Sequence, residues 1–305
     1  MKLEFFPLPF SVKEKLGISI GVFDGVHLGH QKVIERLVSE CKKRGLKSAV
    51  LTFPLPPSWY LKDQAPVPLL LPPLDKIKRI RKLGVEKVYF LDFFRIRDMM
   101  PEKFFKDIIL PQEVYYIVIG EDFRFGKGKI GTAEELKMIG EKEGVEVDIV
   151  PAFRVEGTKV SSTKIRQLIK EGELKKAGQL LGYPYPLIGK VIAGGRKGRK
   201  LGFPTINLRI TYQVTPPVGV YYGRVKVRNE EYPAAIDIRK LRKRWLVEAH
   251  LLDFQGDLYR KKVEVMPLGY LRERKKVPEE VLKNLIRKDI ERVVEIMKKG
   301  RDYEN

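Results

Sequence analysis

The chain has 305 residues, and its 60 Lys and Arg against 39 Asp and Glu give a formal charge of +21 at neutral pH. With 43% hydrophobic and 32% charged residues the composition is globular, which excludes collagen-like, disulfide-rich and disordered classes. No apolar run reaches the roughly 18–20 residues that span a bilayer. Cys41 is the only cysteine, so no internal disulfide forms, and a cytoplasmic setting with no membrane attachment is the expectation. Glu4 and Pro7 interrupt the stretch where a secretory signal would be continuously apolar. The charge suggests an anionic partner, but acidic residues interrupt most basic stretches, as on a solvated or heat-adapted surface. Nucleic-acid binding is therefore kept only as the alternative from a different class.

The length favours two domains. In chain order, Ile18 to Phe23 reads as a buried strand and Gln31 to Lys43 as the helix after it. Strands follow at Ser48 to Phe53, Lys87 to Leu91, Tyr115 to Gly120 and Val145 to Val150, with helices near Asp75 to Leu83, Pro101 to Ile109 and Ala133 to Glu143. Alternating strands and helices predict a doubly wound parallel sheet of Rossmann-like α/β class, whose ligands sit at the carboxyl ends of the strands. A helix ends near Gly182, and Tyr183-Pro184-Tyr185-Pro186 reads as a linker. Beyond it, strands at Leu187 to Ile192, Gly219 to Val227, Tyr232 to Ile238, Trp245 to Asp253 and Lys262 to Tyr270 predict an antiparallel barrel. A terminal amphipathic helix from Pro278 to Lys299 would bury Val281, Leu285, Ile290, Val293 and Ile296. The expected domains are 1–183 and 184–305.

Two segments of the first domain carry chemistry. In Gly21-Val22-Phe23-Asp24-Gly25-Val26-His27-Leu28-Gly29-His30, two of the three histidines stand three apart where a helix begins. That spacing brings the imidazoles together, Gly29 permits close approach of a ligand, and the free N–H groups of the helix start form a phosphate seat. In Val160-Ser161-Ser162-Thr163-Lys164-Ile165-Arg166, either serine can cap a helix. Lys164 and Arg166 load the first turn with positive charge, which opposes the helix dipole by roughly 0.3–1 kcal/mol per charge unless an anion binds there.

These strings resemble the nucleotidylyltransferase superfamily. With Gly120-Glu121-Asp122-Phe123-Arg124-Phe125-Gly126-Lys127-Gly128, the chain resembles the bacterial bifunctional riboflavin kinase/FAD synthetases over nearly its whole length. The resemblance implies that Gly21, Phe23, Asp24, His27, Gly29, His30 and Ser161 line the ATP site, with Ser162, Thr163 and Arg166 closing over the phosphates. His27, His30 and Arg166 would act on the reacting phosphates, and Asp122, Phe123 and Phe125 would lie in the loop beside nucleotide and flavin. FMN attacks through a phosphate already ionised at neutral pH, so the transfer needs positioning and charge stabilisation rather than a base. One departure stands out. The family's Thr-Phe-Asp-Pro-His-Pro is here Thr52-Phe53-Pro54-Leu55-Pro56-Pro57.

In the second domain, the glycine-rich basic loop Gly194 to Gly202 precedes Phe203-Pro204-Thr205-Ile206-Asn207. If this stretch is extended, Thr205 and Asn207 share a face and their oxygens suit a hard cation such as Mg²⁺. Glycine turn and Pro-Thr-Ile-Asn resemble the riboflavin kinase signature, which implies ATP contacts from Gly195, Gly198, Arg199, Lys200, Gly202, Thr205 and Asn207. A hydroxyl nucleophile needs a base, and Glu248 in Val247-Glu248-Ala249-His250-Leu251 is the candidate, with His250 structural. Arg272 is the candidate flavin contact. Departures cluster here too: Ile236-Asp237-Ile238-Arg239-Lys240-Leu241-Arg242-Lys243-Arg244 replaces an Ile-Gly-x-x-Pro-Thr-Phe pattern, Arg260 replaces a glycine, and Arg274 and Val277 replace Glu and Phe. The reading is a monomeric two-step enzyme using ATP, Mg²⁺, riboflavin and FMN to make FAD. The alternatives are FMN adenylylation with a weak kinase, transfer to another phosphorylated acceptor, and a flavin sensor without turnover.

Overall fold

Leu16–Ile20 is buried at all five residues, as a strand covered on both faces must be. The computed structural model describes residues 5–6, 14–61, 65–194, 202–242 and 244–301, without the side chains of Phe5, Phe6, Gly300 and Arg301. Two compact units form: residues 1–67 with 72–162, and residues 68–71 with 163–305.

The first unit runs β1 (Phe5–Phe6), β2 (Leu16–Ile20), α1 (Leu28–Arg44), β3 (Lys47–Thr52), α2 (Pro73–Lys82), β4 (Lys87–Leu91), α3 (Phe93–Ile96) and α4 (Pro101–Phe104). It continues through β5 (Val114–Gly120), the short hairpin β6 (Arg124–Phe125) and β7 (Gly131–Thr132), α5 (Ala133–Lys142), β8 (Glu146–Val150), and the short pair β9 (Arg154–Val155) and β10 (Thr158–Lys159). The main sheet has the order β1-β4-β3-β2-β5-β8, and every pairing in it is parallel. From β2 the chain winds outward through β3 and β4, then crosses back to place β5 on the other side of β2. The carboxyl ends of β2 and β5 therefore form the switch point where such sheets bind ligands. Leu16, Ile18, Leu51, Phe105, Ile117 and Leu136 build the core beneath it.

The predicted elements appear with shifted edges. β2 stops at Ile20 rather than Phe23, because Phe23 (φ 50°), Gly25 (φ 84°) and Val26 (φ 41°) turn the chain out of extended geometry. Helix α1 begins at Leu28, earlier than Gln31, because His27 caps it.

The second unit holds α6 (Ser162–Glu171, from its second residue), α7 (Leu174–Leu181) and a closed antiparallel barrel. The barrel strands are β11 (Leu187–Ile192), β12 (Ile206–Ile210), β13 (Gly219–Val227), β14 (Glu230–Leu241), β15 (Arg244–Leu251) and β16 (Lys262–Arg272), closed in the order β11-β12-β15-β14-β13-β16. Alternate residues point inward, so Leu208, Ile236, Ile238, Val247 and Ala249 are fully buried while Asp237, Arg239 and Glu248 face outward. Residues 68–71 join this unit: Leu69 N–H donates to the Tyr212 carbonyl, and the buried Gln213 side chain donates to Leu70 and Pro186. Helix α8 (Glu279–Arg301) lays Val293 and Met297 on Val220 and Leu271. Val281, expected on the buried face, is 47% exposed, because the helix docks through its second half.

Candidate functional sites

The turn after β2 is built under strain. Three residues with positive φ in four positions cost free energy that the surroundings must offset, and the bonds that hold it are specific. Thr52 Oγ1 donates to the Val22 carbonyl (3.0 Å), and Ser162 Oγ donates to the Asp24 carbonyl (2.8 Å). Phe23, Asp24 and Val26 are almost wholly buried, so the turn is fixed. His27 ends it as the N-cap of α1, its Nδ1 accepting from the His30 N–H at 3.3 Å. An accepting Nδ1 leaves the proton of a neutral His27 on Nε2, away from the helix. The two imidazoles stack with centroids 3.6 Å apart and 16° between planes, and Phe23 meets His30 edge-on at 5.1 Å. A Cβ on Gly29 would lie 3.4 Å from the His27 ring, an ordinary contact distance. Paired imidazoles over a helix N-terminus at the switch point are chemistry suited to an anion.

Two loops flank this turn along the same edge. After β5, Asp122 is exposed and paired with Lys159 (2.6 Å), while Phe123 stacks on Phe125 at 5.5 Å. Phe125 itself belongs to the core, packing on Phe104. After β3 and β4, Tyr60 stacks on Phe93 at 5.2 Å, and the 63% exposed Phe94 packs edge-on against both. This aromatic platform was not singled out in the sequence, since Tyr60 and the first two residues of α3 stand some thirty residues apart and only the parallel sheet aligns them. Lys76 was missed likewise; it lies buried beneath the turn and donates to the Val22 and Phe53 carbonyls.

Of the serine-rich segment, Ser161 precedes α6 and Ser162 opens it. Thr163 and Arg166 belong to the second unit, where Arg166 Nε donates to the Pro68 carbonyl at 2.8 Å.

In the barrel, a cavity of about 580 Å³ is lined by Gly194, Pro204, Thr205, Asn207, Phe254 and Tyr259, among others. Gly195, Gly198, Arg199 and Lys200 lie outside the described residues; Gly202 is described, with φ 88°. Asn207 is buried, and a Cβ on Gly194 would fall 2.3 Å from its Nδ2, so only glycine fits over this carboxamide. Thr205 and Asn207 offer neutral oxygens. No group of three or more His, Cys, Asp or Glu side chains that could hold a metal occurs among the described residues. The donor set therefore suits a cation whose charge is met by phosphates rather than by a protein cage.

Glu248 stands beside this cavity without lining it. Strand register places Asn207, Glu248 and Asp237 in one row across β12, β15 and β14. Directly opposed side chains share a face, so the carboxylate neighbours the carboxamide. Burial raises the Glu248 pKa above the ordinary glutamate range, and Arg239, whose Nη2 donates to Oε1 at 2.5 Å, works against that rise. Asp237 bridges Arg239 (3.9 Å) and Arg274 (3.1 Å), so three of the residues that depart from the family pattern assemble around the candidate base. His250 anchors the preceding loop through Nδ1 and the Pro204 carbonyl (2.8 Å). Arg272 is committed to Asp289 of α8 in a two-pronged ion pair (2.9 and 2.6 Å), a helix-docking contact. Arg260 sits at φ 61°, a left-handed position that explains why glycine is usual there.

A parallel α/β unit with paired imidazoles at its switch point, in one chain with a barrel that carries a glycine-lined cavity, has the features of a transferase acting on phosphate groups. The comparisons make the class specific. Residues 10–164 match the family model for FAD synthetase, and residues 181–297 match that for riboflavin kinase. A bifunctional riboflavin kinase/FMN adenylyltransferase from Listeria monocytogenes is 36% identical over 81% of both chains, and one from Haemophilus influenzae is 34% identical over 92% of this chain and 94% of its own. The chain belongs to the bifunctional riboflavin kinase/FMN adenylyltransferase family, and its reactions carry riboflavin to FMN and FMN to FAD. A crystal structure described as a macrolide-efflux protein from Streptococcus pneumoniae superposes with a TM-score of 0.82 and 31% identity, covering 93% of this chain and 95% of that one. Its export description belongs to that protein; among the described residues here, no helix is long and apolar enough to cross a membrane.

Proposed function

We propose that the two reactions occupy separate sites, adenylyl transfer on the 1–183 domain and riboflavin phosphorylation on the 184–305 domain. The reading is supported by the two family matches, which cover separate stretches of the chain, residues 10–164 and 181–297. In the first site, His27, Gly29 and His30 with the start of α1 hold the ATP phosphates. Gly21, Phe23, Asp24, Ser161 and Ser162 shape the turn around them, and Thr163 and Arg166 are the remaining candidates for phosphate contact. A phosphate oxygen of FMN attacks the α-phosphorus, the bond to the β-phosphate breaks, and pyrophosphate leaves with both electrons of that bond. Imidazole and amide donors stabilise the charge that develops, and no proton need be abstracted. Asp122 and Phe123 border the acceptor, with Phe125 behind them, and the platform of Tyr60, Phe93 and Phe94 offers aromatic faces suited to a flavin ring.

In the second site, Glu248 takes the proton of a riboflavin hydroxyl as that oxygen attacks the γ-phosphorus, and ADP leaves. Thr205 and Asn207 would hold Mg²⁺, which screens the phosphates when bound. Gly195, Gly198, Arg199, Lys200 and Gly202 would supply the ATP contacts. Arg272 serves the flavin side indirectly, by docking α8. The observation that carries this site is the row Asn207–Glu248, which sets the candidate base beside the candidate cation ligand. The test is direct: Asn207→Ala should raise the Mg²⁺ concentration needed for FMN formation and leave that for FAD formation unchanged. A cytoplasmic monomer is proposed with it, supported by the single cysteine and by ATP as co-substrate. Sedimentation at micromolar concentration checks the mass.

A further inference from the structure

Lys76 is a buried ammonium for which neither reaction as described has a use. It rises from α2 into the space under the strained turn and is 3% exposed. Its three N–H bonds reach three acceptors: the Val22 carbonyl (3.0 Å), Thr52 Oγ1 (3.2 Å) and the Phe53 carbonyl (2.6 Å). These acceptors belong to the carboxyl ends of two neighbouring strands, β2 and β3, so one side chain ties together both loops that border the phosphate seat. Its geometry also sets a direction. In a planar trans peptide, the carbonyl of one residue and the N–H of the next point opposite ways. Drawing the Val22 carbonyl down to Lys76 therefore turns the Phe23 N–H up, away from α2. A donor fixed in that sense costs no reorganisation when charge develops on a bound phosphate.

We propose that Lys76 is a positioning residue for adenylyl transfer, orienting the Val22–Phe23 peptide so that its N–H serves the reacting phosphate. The inference rests on reading the Gly21–His30 turn as the adenylyl-transfer site. Only the fully protonated side chain has enough N–H bonds for all three acceptors; the neutral amine has two, so one of the three bonds from Lys76 is lost.

Burial supplies the means to observe this. It pushes the Lys76 pKa down from the ordinary 10.5 to about 8, with Asp24 on the turn acting in the opposite sense. Thr52 and the Phe53 carbonyl face Lys76 from β3, and Asp75 and Arg79 flank it in sequence on its own helix. FAD formation should accordingly fall as pH rises through about 8. The stability effect has the opposite sign. With its folded pKa depressed, the folded chain binds fewer protons than the unfolded chain between about 8 and 10.5, so this group's contribution to stability grows over that window. Loss of rate without loss of melting temperature is the signature.

The experiment measures kcat and KM for FAD formation from FMN and ATP between about pH 7 and about pH 9.5, with melting curves, for the wild type, Lys76→Arg and Lys76→Met. FMN formation by the same chains at about pH 7 monitors the barrel. The expected result is a wild-type alkaline limb with its midpoint near 8. A Lys76→Arg chain whose melting curve is intact keeps its charge and flattens that limb. Lys76→Met loses at least about tenfold in kcat with little change in the KM for FMN. A wild-type rate flat to about pH 9.5 overturns the proposal even if Lys76→Met fails to fold. So does a folded Lys76→Met chain with undiminished kcat. His27→Ala/His30→Ala run alongside separates the two failures: if that variant still makes FAD, the site reading falls; if it is inactive and Lys76 has no effect, only the present inference falls.

Discussion

The two proposed sites would handle the same co-substrate with opposite electrostatic designs. At the proposed adenylyl-transfer turn the groups offered to a phosphate are imidazoles, backbone donors and a helix N-terminus, with the buried Asp24 part of the turn's own scaffold. At the barrel a half-buried carboxylate, Glu248, sits in a network of two carboxylates and two guanidiniums beside neutral oxygen ligands. The difference follows from the nucleophile. FMN brings an oxygen that is already anionic, so its site needs only positive potential; riboflavin brings a hydroxyl, so its site needs somewhere for a proton to go.

That contrast can be broken by substitution. Glu248→Gln should lower FMN formation by about 10²–10⁴-fold and leave FAD formation from FMN intact, measured as initial rates with each flavin. His27→Ala/His30→Ala should do the reverse, with FAD formation down at least about 10²-fold; equal loss of both activities would merge the sites. Arg239→Met tests the network rather than the base. Its loss removes about 1 kcal/mol of charge–charge support from Glu248, about fivefold in kinase rate, and Arg239→Lys should recover most of it. The smallest effect is on stability. Arg260→Gly relieves a left-handed backbone (φ 61°), which should add about 1 kcal/mol and raise the melting temperature by about 2–4 °C.

Local signals in the sequence carried much of this. Periodicity placed β4, β11 and β13 with the residues they have in the structure, because buried strands bounded by turn residues leave little freedom. The histidine pair was legible because its spacing on a helix start is itself the geometry. Misplaced edges came where the backbone departs from regular angles: Val22 and Phe23 look like strand residues by composition, and only the positive φ of Phe23 and Val26 ends β2 early. β12 was masked by the glycine- and proline-rich run before it, although the alternation of Thr205 and Asn207 hinted at it. Contacts distant in sequence were out of reach. Lys76 is one of many lysines until α2 sets it under the turn, and Arg239 reads as a solvated charge until register puts it against Glu248. Such pairings exist only in the folded chain.

The most direct test of separate sites is one chromatographic assay. Wild type, His27→Ala/His30→Ala and Glu248→Gln are each given riboflavin, ATP and Mg²⁺, with a parallel reaction started from FMN. The account predicts that wild type makes FAD from either flavin, the histidine variant stops at FMN, and the glutamate variant makes FAD from FMN alone. A histidine variant that also fails to make FMN, in a chain whose melting curve is intact, would contradict it.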